Sequence, residues 1–88
     1  NIKLIGFNEL DAASLIVVKK ITGNYARKIC EKVNSSVDEL SLELKSSDAQ
    51  KGINSSLKIK DKEIKAEVSD VNLFYALDKA LSKLLKEV

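Results

Sequence analysis

The groups able to do chemistry in this chain are few, and their types exclude more than they allow. There is no histidine, so neither zinc held by imidazole nor a triad with a histidine base can be built. The single cysteine, Cys30, can join no thiolate cluster, no Cys-x-x-Cys pair and no internal disulfide. Gly6, Gly23 and Gly52 lie far apart and form no phosphate-cradling loop. The 13 carboxylates are scattered among lysines, as solvated faces are. Nothing in this set composes an active site, and the chain is read as a non-enzyme with no cofactor and no metal.

What remains is cationic. Lysine and arginine number 15 against 13 acidic residues, a net charge of +2, which is mild for a nucleic-acid binder. The distribution says more than the sum, because residues 1–33 carry six of the basic groups and only three acidic ones. All the basic residues but Arg27 are lysine. Arginine forks read base edges bidentately, whereas lysine acts as a point charge, so this composition suits phosphate backbones better than bases.

The elements that position these groups follow from periodicity. At 88 residues, 44% of them hydrophobic and 32% charged, the chain is expected to form a single domain over residues 1–88. Its longest apolar run, Leu15 to Val18, falls far short of the roughly 18 residues of a membrane span. No leader, anchor or membrane contact is therefore expected, and a cytoplasmic location is. Ile2 to Phe7 alternates loosely around Gly6 and predicts a short strand. Asn8 and Asp11 are good helix N-caps, with Glu9 favouring the first turn. From about Asp11 to Val33, Leu15, Val18, Thr22, Tyr25, Ala26, Ile29 and Val33 recur at helical spacing, which predicts a helix with Lys20, Asn24, Arg27, Lys28 and Glu31 on its polar face. A strand over residues 14–22 is the competing reading, since Ile16-Val17-Val18 is β-branched and Gly23-Asn24 would make a turn. Cys30 falls beside Ala26 and Val33 on the helix and is expected to be a buried, inert thiol.

Asn34-Ser35-Ser36 signals a loop. Leu40, Leu42 and Leu44 then alternate with Ser41, Glu43 and Lys45, a half-buried strand. After a polar connection at residues 46–52, Ile53, Leu57 and Ile59 face inward with Ser56, Lys58 and Lys60 outward. Asp61-Lys62 predicts a two-residue hairpin turn, and Ile64, Ala66 and Val68 return inward. That turn would set Lys60 opposite Glu63 and Lys58 opposite Lys65. Two facing lysines are either an anion-binding pair or a tolerated solvent pair. Ser69 or Asp70 is the expected cap of a last helix reaching Val88, with Phe74, Leu77, Leu81, Leu84 and Val88 as its apolar stripe and Leu73 and Ala80 widening it. The order β-α-β-β-β-α predicts an α+β fold, a four-stranded sheet with two helices packed on one face.

The last helix carries a resemblance. Asn72-Leu73-Phe74-Tyr75-Ala76-Leu77-Asp78-Lys79-Ala80-Leu81-Ser82-Lys83-Leu84-Leu85-Lys86-Glu87-Val88 is similar to the segment D-M-Y-A-A-I-D-x-x-x-D-K-L-x-R-Q-L of the family of ribosome hibernation-promoting factor, protein Y and ribosome-associated inhibitor A. Ala76, Asp78, Lys83 and Leu84 match as they stand, and Leu73, Phe74, Leu77, Lys86 and Val88 are conservative replacements. The likeness runs from Ser55 to Val88 without a gap and extends, by pattern, to Ile2–Gly6 and the order of elements. It is to the short form, without the extra C-terminal domain of longer members, and members are often more basic than this chain.

The resemblance implies a protein that occupies the decoding region of the small ribosomal subunit, blocks messenger and transfer RNA, and so pauses translation during stress or stationary phase. Its partner would be rRNA phosphates, with no DNA and a possible homodimer. On this chain the implied rRNA-binding residues are Lys20, Arg27 and Lys28 on the first helix and Lys79, Lys83 and Lys86 on the last, with Lys58 and Lys65 on the sheet. Tyr75, on the side of the last three lysines, would stack on a base. A protein-interaction module or a small-ligand-sensing domain of the same fold are the alternatives.

Overall fold

The computed structural model describes residues 2–35, 37–47 and 49–88. The β-branched cluster and Gly23 both lie inside α1, Ala12–Val33, so the strand reading of residues 14–22 is not adopted. A helix gathers Leu15, Val18, Thr22 and Ile29 into one stripe against the core; a strand over residues 14–22 would send Leu15 to the opposite face from Val18 and Thr22. Thr22 satisfies its buried hydroxyl locally by donating to the Val18 carbonyl at 2.7 Å. The helix stops where Asn34 turns left-handed at φ 57, a conformation asparagine tolerates. Of the loop expected at Asn34-Ser35-Ser36, Ser36 lies outside the described residues, as does Asp48 in the connection at residues 46–52.

The strands β1 (Ile2–Ile5), β2 (Glu39–Ser46), β3 (Lys51–Ile59) and β4 (Lys62–Asp70) form one sheet in that spatial order. β1 runs parallel to β2, and the other pairs are antiparallel. A parallel pair needs a long crossover, which α1 supplies. Leu40 pairs with Leu57 and Leu57 with Ile64, while Leu44 pairs with Ile53 and Ile53 with Val68. These rows and the Leu42 side chain make one buried face. The last helix, α2 (Leu73–Glu87), packs over β3 and β4 and buries Ala76, Leu77, Ala80, Leu81 and Leu84. Both helices share one core with the inward strand residues, so the architecture is the expected α+β arrangement.

The β3–β4 hairpin turns one residue earlier than expected. Ile59 pairs with Lys62, so Lys60-Asp61 is the loop, Lys58 faces Glu63, and Lys65 faces Ser56. The partners have moved by two residues, which leaves every side chain on its expected face because the strand period is two. The opposition of Lys58 and Lys65 does not form. An opposite-charge pair replaces a like-charge one, and Asp38 holds the turn from outside. The Asp38 carboxylate accepts the Lys60 backbone N–H at 2.9 Å, where Lys60 is left-handed at φ 54. The Asp38 N–H in turn donates to the Lys58 carbonyl at 2.9 Å.

Three local expectations also change. Strand β4 runs through Ser69 and Asp70, so the cap of α2 is Asn72, whose side chain accepts from the backbone N–H of Phe74 and Tyr75 at 2.9 and 3.1 Å. Asp70 instead braces the cap, accepting the Asn72 N–H at 3.0 Å. Phe7 belongs to a 3-10 turn, Phe7–Glu9, and is buried. Gly6 makes that turn possible at φ 80, since a Cβ there would sit 2.8 Å from the Leu44 carbonyl oxygen. Cys30 is half-buried, not a core residue. Its neighbour Ile29 takes the inward position, and one residue along a helix turns the side chain about 100° away.

Candidate nucleic-acid interface

Two bonds fix how the helices lie together. The Tyr25 hydroxyl donates to Asp78 Oδ1 at 2.7 Å, and Lys32 Nζ donates to the Leu85 carbonyl at 2.8 Å. From the first bond to the second is seven residues along each helix, so α1 and α2 run parallel with their C-terminal ends together. Parallel macrodipoles repel, and Lys32 offsets this by placing its charge on a terminal carbonyl of its neighbour, with Lys86 also in the last turn of α2.

Charge is divided between the layers. Helix α1 carries Lys19, Lys20, Arg27, Lys28 and Lys32 against Glu31, and α2 carries Lys79, Lys83 and Lys86 against Asp78 and Glu87. On the open face of the sheet, Lys3, Lys45, Lys58 and Lys65 stand against Glu39, Glu43, Glu63 and Glu67. The modest net charge therefore conceals a cationic helix layer over a balanced sheet face.

The expected site residues fall into three places. Lys79, Lys83 and Lys86 line one groove of about 570 Å³ between α2 and strand β4, together with Tyr75, Asp78 and Ser82 on the helix and Glu67 and Ser69 on the strand. Tyr75 is 50% exposed there, and the Lys79 ammonium lies 4.6 Å from its ring centre. Arg27 and Lys28 line a hollow on α1 with Asn24 and Glu31; Arg27 donates to the Asn24 side-chain carbonyl at 2.9 Å. Lys28 lies 5.1 Å from the ring centre of Tyr25, whose hydroxyl is the bond to Asp78, so the two cationic stripes meet at that bond. Lys20 is exposed on α1. Lys58 and Lys65 lie on the open face of the sheet, away from the helices. Each has a carboxylate at 4.0 Å, Glu39 for Lys58 and Glu63 for Lys65. Lys65 also lines a shallow trough of about 540 Å³ on that face, with Ser41, Asn54 and Ser56.

Tyr25, expected only as part of the apolar stripe, and Lys32 join the helix layer although neither stood among the candidate binding residues. Tyr25 sits at the margin of an apolar stripe, and nothing local marks the partner 53 residues later. Burial, and then the bond to Asp78, push its phenol up to about 12 from the ordinary 10.0. The hydroxyl therefore stays a donor across the physiological range.

Solved structures of other proteins share this α+β fold. A ribosomal subunit interface protein from Coxiella burnetii superposes with a TM-score of 0.74 at 15% identity, covering 98% of this chain and 90% of that one. The N-terminal domain of protein Y from Thermus thermophilus superposes with a TM-score of 0.73 at 21% identity, covering 97% of this chain and 90% of that one. These likenesses establish a shared fold over nearly the whole chain. No protein-family model matches the sequence, and no curated protein sequence matches it.

Proposed function

We propose that this protein is a ribosome-associated translation inhibitor that binds the small subunit at its decoding region, through the helix layer, and excludes messenger and transfer RNA. The observation that carries the reading is the segregation of charge: eight of the basic side chains lie on the two helices, where only three acidic ones oppose them. A wedge that presents one cationic face to rRNA phosphates needs that asymmetry and little else. Supporting it are the fold, shared with a ribosomal subunit interface protein and a protein Y domain, and the resemblance of the α2 sequence. The work needs no chemistry, so the lack of an acid–base constellation is no obstacle. Lys20, Arg27, Lys28, Lys79, Lys83 and Lys86 serve as phosphate contacts, and Lys58 and Lys65, balanced by carboxylates, contribute less.

The test is co-sedimentation of wild type and the Lys79→Gln, Lys83→Gln, Lys86→Gln triple variant with purified small subunits across a salt series. The variant is expected to bind more weakly, with a salt dependence flatter by about 0.7–0.9 for each phosphate that is no longer neutralised. Its unfolding free energy should move by less than about 0.5 kcal/mol per exposed substitution. Equal affinities and equal slopes refute the role of the groove, and absence of binding by either protein refutes the ribosome reading.

A further inference from the structure

The groove on α2 contains two carboxylates that a phosphate cradle does not want, Glu67 on the β4 wall and Asp78 on the helix. Asp78 lines the same groove as Lys79, Lys83 and Lys86, and a carboxylate there repels a phosphate backbone. Nor is it spent on neutralising those lysines: no salt bridge joins it to a cation among the described residues, and its hydrogen bond comes from the neutral Tyr25 hydroxyl. That bond fixes the orientation of the carboxylate and occupies one of its roughly four acceptor sites, leaving the rest open. On the helix, Asp78 lies toward α1, as the bond from Tyr25 requires, while Lys79 and Lys83 lie toward β4. Tyr75, one turn before Asp78, presents a half-exposed ring between them.

Resting on the reading of the helix layer as an RNA-binding surface, we infer that this groove holds one unpaired guanine of a single RNA strand, stacked on the face of Tyr75 opposite the Lys79 ammonium with its Watson–Crick edge on the Asp78 carboxylate. The lysines carry the strand. From Lys79 to Lys86 they span about 10 Å of helix axis, room for more than one phosphate. From a backbone on that side, an unstacked base reaches across the helix onto the tyrosine, as single-stranded bases do on exposed aromatic rings. What then meets Asp78 is the base edge, and an acceptor-only group selects donors. Guanine alone offers two adjacent donors on that edge, N1–H and the N2 amino group, which match the two oxygens of a carboxylate. Adenine and cytosine offer one amino group beside an acceptor that the carboxylate repels. Uracil offers a single N–H between two carbonyl oxygens. In a chain whose one arginine is engaged by Asn24 on α1, base reading falls to this carboxylate instead of to a guanidinium.

The experiment is fluorescence anisotropy of the intact protein with short labelled uridine oligonucleotides carrying one central guanine, adenine, cytosine, uracil or inosine. The guanine strand is expected to bind about tenfold more tightly than those with the other three bases, in line with a bidentate base contact. Inosine, lacking the N2 amino group, should fall between. Asp78→Asn removes a negative charge from the groove, so it should raise affinity for the adenine, cytosine and uracil strands while abolishing the guanine preference. A merely structural role for Asp78 would weaken all strands alike, and that outcome counts against the inference. Tyr75→Leu should weaken every strand by a similar factor without altering the salt slope. GMP should displace the guanine strand only at much higher concentration, because it leaves most of the lysine track unused; GMP binding as tightly as the strand would overturn the strand assignment. Equal affinity for all five strands, no binding of any, or a guanine preference that survives Asp78→Asn overturns the inference. Small subunits assayed in parallel separate the two ideas. Subunit binding without a guanine preference sinks this site alone, and a guanine preference without subunit binding sinks only the ribosome reading.

Discussion

Removing the Tyr25 hydroxyl tests how the helix layer is held together. In Tyr25→Phe the ring and its packing remain, while the bond to Asp78 Oδ1 at 2.7 Å disappears. A hydrogen bond to a charged group contributes about 1.5–3 kcal/mol when desolvated. Asp78 is exposed and Tyr25 only half-buried, so screening reduces the expectation to about 1 kcal/mol at neutral pH. For a domain of this size that corresponds to roughly 4–8 °C in melting temperature. The effect carries a pH signature. The phenol is raised to about 12 in the folded protein from an ordinary 10.0, so folding favours its protonated form. The stabilisation is therefore complete below pH 10 and is lost as pH rises through 12. Urea unfolding of wild type and variant from pH 7 to pH 12 should show a constant gap up to about pH 9.5, closing above it. The phenolate absorbance that the variant lacks should appear in wild type near pH 12. A gap unchanged at pH 12, or a phenol present only in wild type that titrates near pH 10, would refute the reasoning.

Two glycines should respond oppositely to alanine. Gly6→Ala is expected to cost at least about 2 kcal/mol, since φ is 80 and the new Cβ would lie 2.8 Å from a backbone carbonyl; Gly23→Ala, in the middle of α1 with nothing within 4 Å, should stabilise by about 0.5–1 kcal/mol, and thermal melts read both. Asn72→Ala should lower stability by about 1 kcal/mol through loss of the α2 cap, whereas Ser69→Ala should change it by less than about 0.5 kcal/mol; equal losses in urea titrations would return the cap to Ser69.

The inward faces of β2, β3, β4 and both helices were legible in the sequence because they rest on local periods, two for strands and about 3.6 for helices. Leu40, Leu42, Leu44, Leu57, Ile64, Val68, Leu77, Leu81 and Leu84 are buried as their spacing requires. The same local logic hid the hairpin register, because a slip of two residues changes partners and leaves every face intact. It took the Asp38 carboxylate, reaching from the start of β2 to the Lys60 N–H, to place the turn. The cap of α2 shifted for a similar reason, since β3 pairs with β4 as far as Asp70 and so claims residues that would otherwise start the helix.

Of the candidate interface, the sequence by itself determined which lysines share a helix face: Lys79, Lys83 and Lys86 stand together at spacings of four and three. It also determined that no histidine and no second cysteine is present, since residue types need no fold to be counted. Tertiary structure alone decided which faces meet. It gave Lys58 and Lys65, outward on the sheet as their spacing requires, each a carboxylate. It set the helices parallel and joined the two cationic stripes through Tyr25 and Asp78, 53 residues apart. Side-chain period is a property of a few neighbouring residues, whereas the meeting of α1 and α2 depends on a crossover and a sheet order that no local pattern encodes.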